Sequence, residues 1–342
     1  MKKLKIAVIS PISWRTPPTK YGPWEQVASN IAEGMVKKGH DVTLYATADS
    51  KTKGRLQAVC PKPLEEHKEL DGEVYKFLHI GKVFEDARKY DIIHNQFDYY
   101  PLVFSSLIKT PMITTINGFH NQQYKLVYKK YNKKVAYVSI SDSDRAKELD
   151  YISTVYNGIN LKEFSFVEKP QGNYLLFIGR ISHDKGTDKA IKVAQKVKMP
   201  LVIAGQVPPE EKTYFSQKVK PYIDNKLIRW IGPVGSKERN KLLGNALASL
   251  HLINFNEPFG LTVAEAMACG TPVIAINRGS MPELIDDKKD GFLVKDESQA
   301  IKAIKNLHII DRRNPRKKVE NKFTCEKMTE GYLSAYKKIL KI

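Results

Sequence analysis

The chain has 342 residues, a length that favours two domains each able to bury its own core, and its composition is ordinary for a globular enzyme. No apolar run reaches the roughly 18 residues that cross a bilayer, Leu4 to Ile9 is too short for a signal-peptide core and runs at once into Pro11, and a cytoplasmic protein is expected. Three widely spaced cysteines, Cys60, Cys269 and Cys325, argue against a disulfide framework or a zinc site, and a formal charge of +19 implies anionic partners, either phosphates, acidic acceptors or the anionic face of a membrane, with no nucleic acid expected.

Short apolar strands alternate with amphipathic helices along the first half. The pattern predicts a strand at Lys5 to Ser10, a helix at Trp24 to Lys38, strands at Val42 to Ala46 and Ile92 to His94, a helix at Pro101 to Lys109, and strands at Met112 to Ile116, Val135 to Ile140 and Ile152 to Tyr156. Residues 50 to 72 are polar and dotted with proline, and read as an irregular connection. The alternation restarts after a turn-rich segment that begins at Asn157-Gly158. Strands follow at Leu175 to Ile178, Leu201 to Ala204, Leu227 to Ile231, Leu250 to Leu252, Val273 to Ile276 and Phe292 to Val294, with helices at Lys189 to Lys198, Glu211 to Ile223, Lys237 to Ala246 and Cys325 to Leu340. Two Rossmann-like, doubly wound parallel-sheet domains in series are the expected α/β fold, over residues 1–160 and 161–324, with a last helix at 325–342 packing back on the first. In such sheets ligands bind beyond the carboxyl ends of the strands, so two facing domains would enclose a cleft.

The most informative stretch runs from Asn256 to Ala275. Pro258 and Gly260 signal a turn, an apolar-periodic run reaches Cys269, and Gly270-Thr271-Pro272 closes it, so Leu261 to Cys269 reads as a short helix. The amides of Phe259, Gly260 and Leu261 at its start would lack intrahelical partners, and the helix dipole adds positive charge there. Glu257 stands just before this helix and Glu265 about one turn inside it. Isolated glutamates are usually surface charges, yet Glu265 sits between Ala264 and Ala266 on a mostly apolar helix, where an unpaired carboxylate is costly. A second cluster follows the strand at Leu175: in Gly179-Arg180-Ile181-Ser182-His183-Asp184-Lys185-Gly186 a guanidinium and an ammonium stand at one strand end, suited to one diphosphate.

On the segments Gly179 to Gly186, Ile231-Gly232-Pro233, Glu257 to Pro272 and Gly279 to Leu284, the chain resembles the family-4 retaining glycosyltransferases of the GT-B type, which have two Rossmann-like domains. The resemblance implies that Arg180 and Lys185 hold the diphosphate of a nucleotide-sugar donor. It implies further that Glu257 and the backbone at Phe259, Gly260, Leu261 and Thr262 meet donor sugar and phosphate, and that Glu265 binds ribose hydroxyls. Gly179 would line the same strand end, Gly22 would close over the phosphates, and no metal or other cofactor is required. A hexose would pass from a UDP-glucose or GDP-mannose type of donor to a hydroxyl acceptor: a sugar, a small molecule or a lipid-linked intermediate.

The chain departs from that pattern in the first domain. Tyr21-Gly22-Pro23-Trp24-Glu25 has proline, without an amide hydrogen, where many relatives have a second glycine. Asn117 replaces a histidine after the Ile113 to Ile116 strand and cannot act as a base near neutral pH. His94 and His120 stand as alternatives on the acceptor side. Asp142-Ser143-Asp144 imitates a metal-binding Asp-x-Asp, but reads as a cap for a helical run from Arg145 to Leu149. In Tyr124 to Lys134, five lysines alternate with three tyrosines, a pattern that could rest a helix weakly on anionic lipid with tyrosines at the interface. Two other functions stay open: a nucleotide-sugar 2-epimerase, since some of these share the two-domain architecture, and a non-catalytic binder of nucleotide sugars or polyanions, for which the basic surface is the only support.

Overall fold

The computed structural model describes residues 3–119 and 121–342. Two compact units divide the chain, one made of Met1–Gly158 and Cys325–Ile342, the other of Ile159–Thr324. Each is built on a wholly parallel sheet among its described residues, as the alternation predicts.

Unit 1 holds β1 (Lys5–Ile9), α1 (Pro23–Lys37), β2 (Asp41–Tyr45), β3 (Arg55–Gln57), α2 (Gly72–Glu85), β4 (Ile92–Asn95), β5 (Met112–Ile116), α3 (Tyr124–Tyr131), β6 (Ala136–Ser139) and β7 (Tyr151–Thr154), in the sheet order β3-β2-β1-β4-β5-β6-β7. The central strands are buried on both faces, which is why they read as continuous apolar runs rather than alternating ones.

Unit 2 holds β8 (Leu175–Ile178), α4 (Thr187–Val197), β9 (Leu201–Ala204), α5 (Lys212–Tyr214), β10 (Ile228–Trp230), α6 (Ser236–Asn245), β11 (Ala248–His251), α7 (Leu261–Ala268), β12 (Val273–Ile276), α8 (Met281–Leu284), β13 (Gly291–Val294), α9 (Glu297–Lys305) and α10 (Arg313–Lys322). Its strands lie in the order β10-β9-β8-β11-β12-β13. Arg312 staples the base of this unit from inside, its guanidinium donating to the carbonyls of Val167, Gly244 and Ala246 and to Thr271 Oγ1 at 2.7–2.9 Å. Four acceptors satisfy a charge that burial would otherwise penalise.

The last helix, α11 (Cys325–Leu340), belongs to unit 1. It lies against α1 where Gly34 meets Thr329: a Cβ added at Gly34 would come within 2.1 Å of Thr329 Oγ1, so no larger residue allows that approach. Tyr332 and Tyr336 are fully buried beneath β4 and β5, and Lys37–Glu326 and Lys38–Glu330 pairs at 2.9 and 3.3 Å fringe the exposed side.

Several local expectations are corrected. Residues 50 to 72 are not wholly irregular, because Arg55–Gln57 adds an edge strand in register with Thr43–Tyr45. The run at Pro101 is a three-residue-per-turn segment over Tyr100–Leu107, with Leu102 and Ser105 buried three residues apart, as that geometry requires. Glu211 to Ile223 is helical but not one regular α-helix: the winding widens over Phe215–Val219 and tightens over Lys220–Tyr222, around Pro221, which has no amide hydrogen to donate. Residues 145–149 form turns instead of a helix, and Asp142 accepts from Thr154 and lies 3.7 Å from Arg145 Nε. In α3 the tyrosines turn inward. Tyr128 is buried, Tyr124 packs on Tyr99 at 4.4 Å, and the Tyr131 hydroxyl donates to the Val103 carbonyl.

Candidate functional site

The charged groups of unit 2 gather in the loops that leave β8 and β11. These loops are tied to each other through Asn254, whose amide donates to the Asp184 carbonyl at 2.7 Å and whose side chain donates to the His183 carbonyl at 2.7 Å. That tie brings Lys185 to Glu257 across 72 residues of sequence, Nζ to Oε2 at 2.5 Å, with the ammonium also 4.7 Å from the centre of the Phe255 ring. His251 Nε2, at the end of β11, lies 3.3 Å from the same carboxylate oxygen. Burial opposes ionisation of Glu257, but the Lys185 ammonium and the His251 imidazole overcome it and hold the carboxyl at about 2. Burial also pushes His251 below the ordinary histidine range, against the pull of Glu257. The result is a fixed negative charge beside an ammonium that has used one of its three donors on it.

The backbone around Glu257 is clamped on both sides of Pro258. The Ser280 amide donates to the Glu257 carbonyl at 3.0 Å, and Ser280 Oγ donates to the Phe259 carbonyl at 2.7 Å. A Cβ at Gly279 would fall 2.6 Å from both the nitrogen and the carbonyl oxygen of Glu257, so this close crossing of two loops depends on glycine. Gly260 caps α7 with φ +90, a left-handed conformation that side chains disfavour. Its carbonyl accepts the first ladder bonds, from Val263 and Ala264, so the amides of Leu261 and Thr262 precede the first intrahelical donor. The Phe259 ring is buried against Phe323 and anchors the turn.

One helical turn further, Glu265 is buried and pairs with Arg239 of α6, Nη1 to Oε1 at 3.0 Å. Its second oxygen, Oε2, is buried and has no hydrogen-bond partner. Burial raises its pKa above the usual carboxylate value, and Arg239 only partly offsets that. An acceptor left over on a buried carboxylate is suited to a hydroxyl donor. Arg180, about one third exposed, faces Asp184 at 3.6 Å, so of the two cations after β8 only Lys185 touches Glu257. Gly179 ends β8 and donates to the Ala204 carbonyl at 3.0 Å. Among the described residues no three His, Cys, Asp or Glu side chains gather in a way that could hold a metal ion.

In unit 1, Gly22 caps α1, its carbonyl accepting the Gln26 amide at 2.9 Å. Nearby Glu25 accepts the Trp14 amide at 3.0 Å, and burial pushes its carboxyl up to about 7. His94 differs from the acceptor-side role read for it. It is fully buried, Nδ1 lies 2.7 Å from the Tyr336 hydroxyl, and Nε2 is within 2.9 Å of Thr115 Oγ1 and 2.7 Å of Gln96 Nε2. Both ring nitrogens are engaged and burial drives the pKa down to about 3, so the ring is a neutral part of the core. Asn117, half-buried at the end of β5, reaches only Gln96, at 3.5 Å, and keeps polar capacity. His120 lies outside the described residues.

Sequence reading missed His251 and Arg239. His251 hides in the apolar run Leu250 to Leu252, and its only signal is a basic residue in a buried strand. Arg239 is one charge among many on a polar helix, and nothing in its spacing points at Glu265.

Comparison with known proteins gives the same architecture. Residues 159–322 match the family model for Glycosyl transferases group 1, and residues 24–163 match that for Glycosyltransferase Family 4. An uncharacterized glycosyltransferase of Methanocaldococcus jannaschii is 24% identical over 94% of this chain and 97% of its own length. The sucrose-phosphate synthase of Thermosynechococcus elongatus superposes with a TM-score of 0.82 at 18% identity, covering 99% of this chain and all of the other. The Anabaena protein HepE, solved in complex with UDP-glucose, gives 0.76 at 18% identity, covering 98% of this chain and all of the other. The two family matches together span residues 24–322 and each falls on one parallel-sheet unit, so the chain belongs to the group 1 glycosyltransferases and has the GT-B fold.

Proposed function

We propose that the protein is a retaining hexosyltransferase whose donor is a UDP-glucose or GDP-mannose type of nucleotide sugar, and whose acceptor is a hydroxyl on a sugar, small molecule or lipid-linked intermediate. The observation that carries this reading is the Lys185–Glu257–His251 cluster at the start of α7 together with the unpartnered oxygen of Glu265. In this reading Arg180 and the spare donors of Lys185 neutralise the departing diphosphate, aided by the amides at Gly260, Leu261 and Thr262. Glu257, kept ionised, accepts from hydroxyls of the donor sugar and lies on the side where positive charge develops at C1. Glu265 takes the ribose hydroxyls through Oε2. As the C1–oxygen bond to phosphate breaks, its electron pair leaves with the diphosphate, the acceptor oxygen attacks C1 from the same face, and the acceptor proton passes to the departing phosphate oxygen.

Because two cations do the neutralising, the reaction needs no metal, and EDTA is expected to leave the rate unchanged. On the acceptor side this reading places Asn117, while Gly22 stays with the donor phosphates. Binding assays with UDP-glucose, UDP-N-acetylglucosamine and GDP-mannose identify the donor. With that donor, Arg180→Ala or Lys185→Ala lowers kcat by about 10²-fold. Near-normal turnover in both variants removes the mechanism, and an epimerised free nucleotide sugar as product favours the epimerase instead.

A further inference from the structure

We propose that unit 1 carries a docking face for an anionic lipid bilayer, formed by α2, the Tyr100–Leu107 segment and α3. This stands apart from the donor chemistry of unit 2. Eleven large apolar side chains are exposed among the described residues, and six of them, Val74, Phe77, Leu78, Val103, Leu107 and Leu126, come from these three elements. The other five are scattered singly, as on any soluble surface.

The three elements form one surface. Phe104 of the middle segment meets Phe77 and Phe84 of α2 edge-on, with ring centres 6.5 and 5.8 Å apart. On its other side, Tyr99 packs against Tyr124 of α3, and Tyr131 of α3 donates to the Val103 carbonyl. The inner sides of these elements are therefore spoken for, and the outer side leaves Phe77 61%, Leu126 68% and Leu107 78% exposed. A face of that size and apolarity costs solubility unless something covers it.

Charge selects the occupant. Lys125, Lys129 and Lys130 of α3, with Lys133 and Lys134 just after it, border the face on that side. Glu148 lies within 3.7 Å of Lys125 and Lys129, and Asp150 pairs with Lys133 at 2.6 Å. Lys134 reaches only a carbonyl and Lys130 only the Tyr131 ring, so the rim stays positive. On α2, Glu73 neutralises Lys76. Two copies apposed on this face would press their lysine rims together, whereas anionic headgroups complement the rim while the apolar side chains enter the acyl boundary.

The test is co-sedimentation of the full chain with phosphatidylcholine vesicles, with and without phosphatidylserine. Binding at least about tenfold stronger to the anionic vesicles, weakened by salt, is expected. Phe77→Ser with Leu107→Ser lowers that binding at least about tenfold, and so does Lys130→Glu with Lys134→Glu, while nucleotide binding and thermal melting stay as in the parent. No vesicle binding, or binding that neither pair changes, overturns the proposal. So does a concentration-dependent dimer abolished by the Phe77/Leu107 pair, which assigns the face to a second copy. Loss of nucleotide binding in Lys185→Ala with vesicle binding intact shows that the two readings fail separately.

Discussion

Both units leave polar groups near the carboxyl ends of their central strands, but with opposite chemistry. In unit 2 the groups are charged: Lys185, Glu257, Arg239 and Glu265 form two ion pairs, with His251 against one of them. In unit 1 they are neutral: His94, Gln96, Thr115, Tyr332 and Tyr336 satisfy one another through imidazole, amide and hydroxyl contacts. A neutral network of this kind holds strands and helix in register, whereas a charged one stores a field that a phosphate can use.

The sharpest way to break the comparison is to remove one charge. Lys185→Met strands the buried Glu257 carboxylate and is expected to cost about 3 kcal/mol in urea unfolding, much of it restored by a second change, Glu257→Gln. Removing a neutral partner is milder. His94→Gln costs about 1–2 kcal/mol and leaves nucleotide affinity alone, and an equal loss in the two single variants would erase the distinction. Arg239→Gln lets burial push the Glu265 carboxyl higher still, and nucleotide affinity measured by calorimetry falls about tenfold near neutral pH and recovers as pH rises. The smallest effect is expected from Asn117→Ala, a several-fold rise in acceptor KM, about 1 kcal/mol, with nucleotide affinity unchanged.

The two glutamates also predict opposite pH responses. Glu257 has its folded pKa depressed to about 2 from an ordinary value of 4.5, so its contribution to stability is present above that ordinary value and is lost as pH falls towards 2. Glu265 has its folded pKa raised, so its contribution is greatest below the unfolded value and is lost as pH rises through the folded one. Melting temperature followed from pH 7 down to acid should therefore flatten in Glu257→Gln, and should lose its compensating rise in Glu265→Gln.

What could be read from the residues follows from how local each signal is. The buried strands of both sheets were legible because two-sided burial leaves unbroken apolar runs, whereas the exposed edge strand β3 was not, and α7 was legible because a glycine start and a Gly-Thr-Pro stop frame it. α2 was not: Val74, Phe77 and Leu78 lie on its exposed side and blur the stripe that would mark a buried face. α9 was announced by Asp296 three residues before Gln299, a capping signal passed over. At the site, Glu257 and Glu265 stand in one contiguous motif, whereas His251 and Arg239 reach them only through the folding of separate strands and helices. His94 read as an acceptor-side candidate because it stands at the end of a strand, where ligands meet such sheets; its surroundings, drawn from 21 and 242 residues away, made it core.

The helix α11 gives the molecule a particular order of assembly on the ribosome. Unit 2 has all its residues once Thr324 has emerged, while unit 1, begun first, still lacks the two tyrosines that hold His94 and the threonine that seats against Gly34. The amino-terminal half must wait, incomplete, through the synthesis of the whole carboxyl-terminal half, its sheet open on the side that α11 will cover.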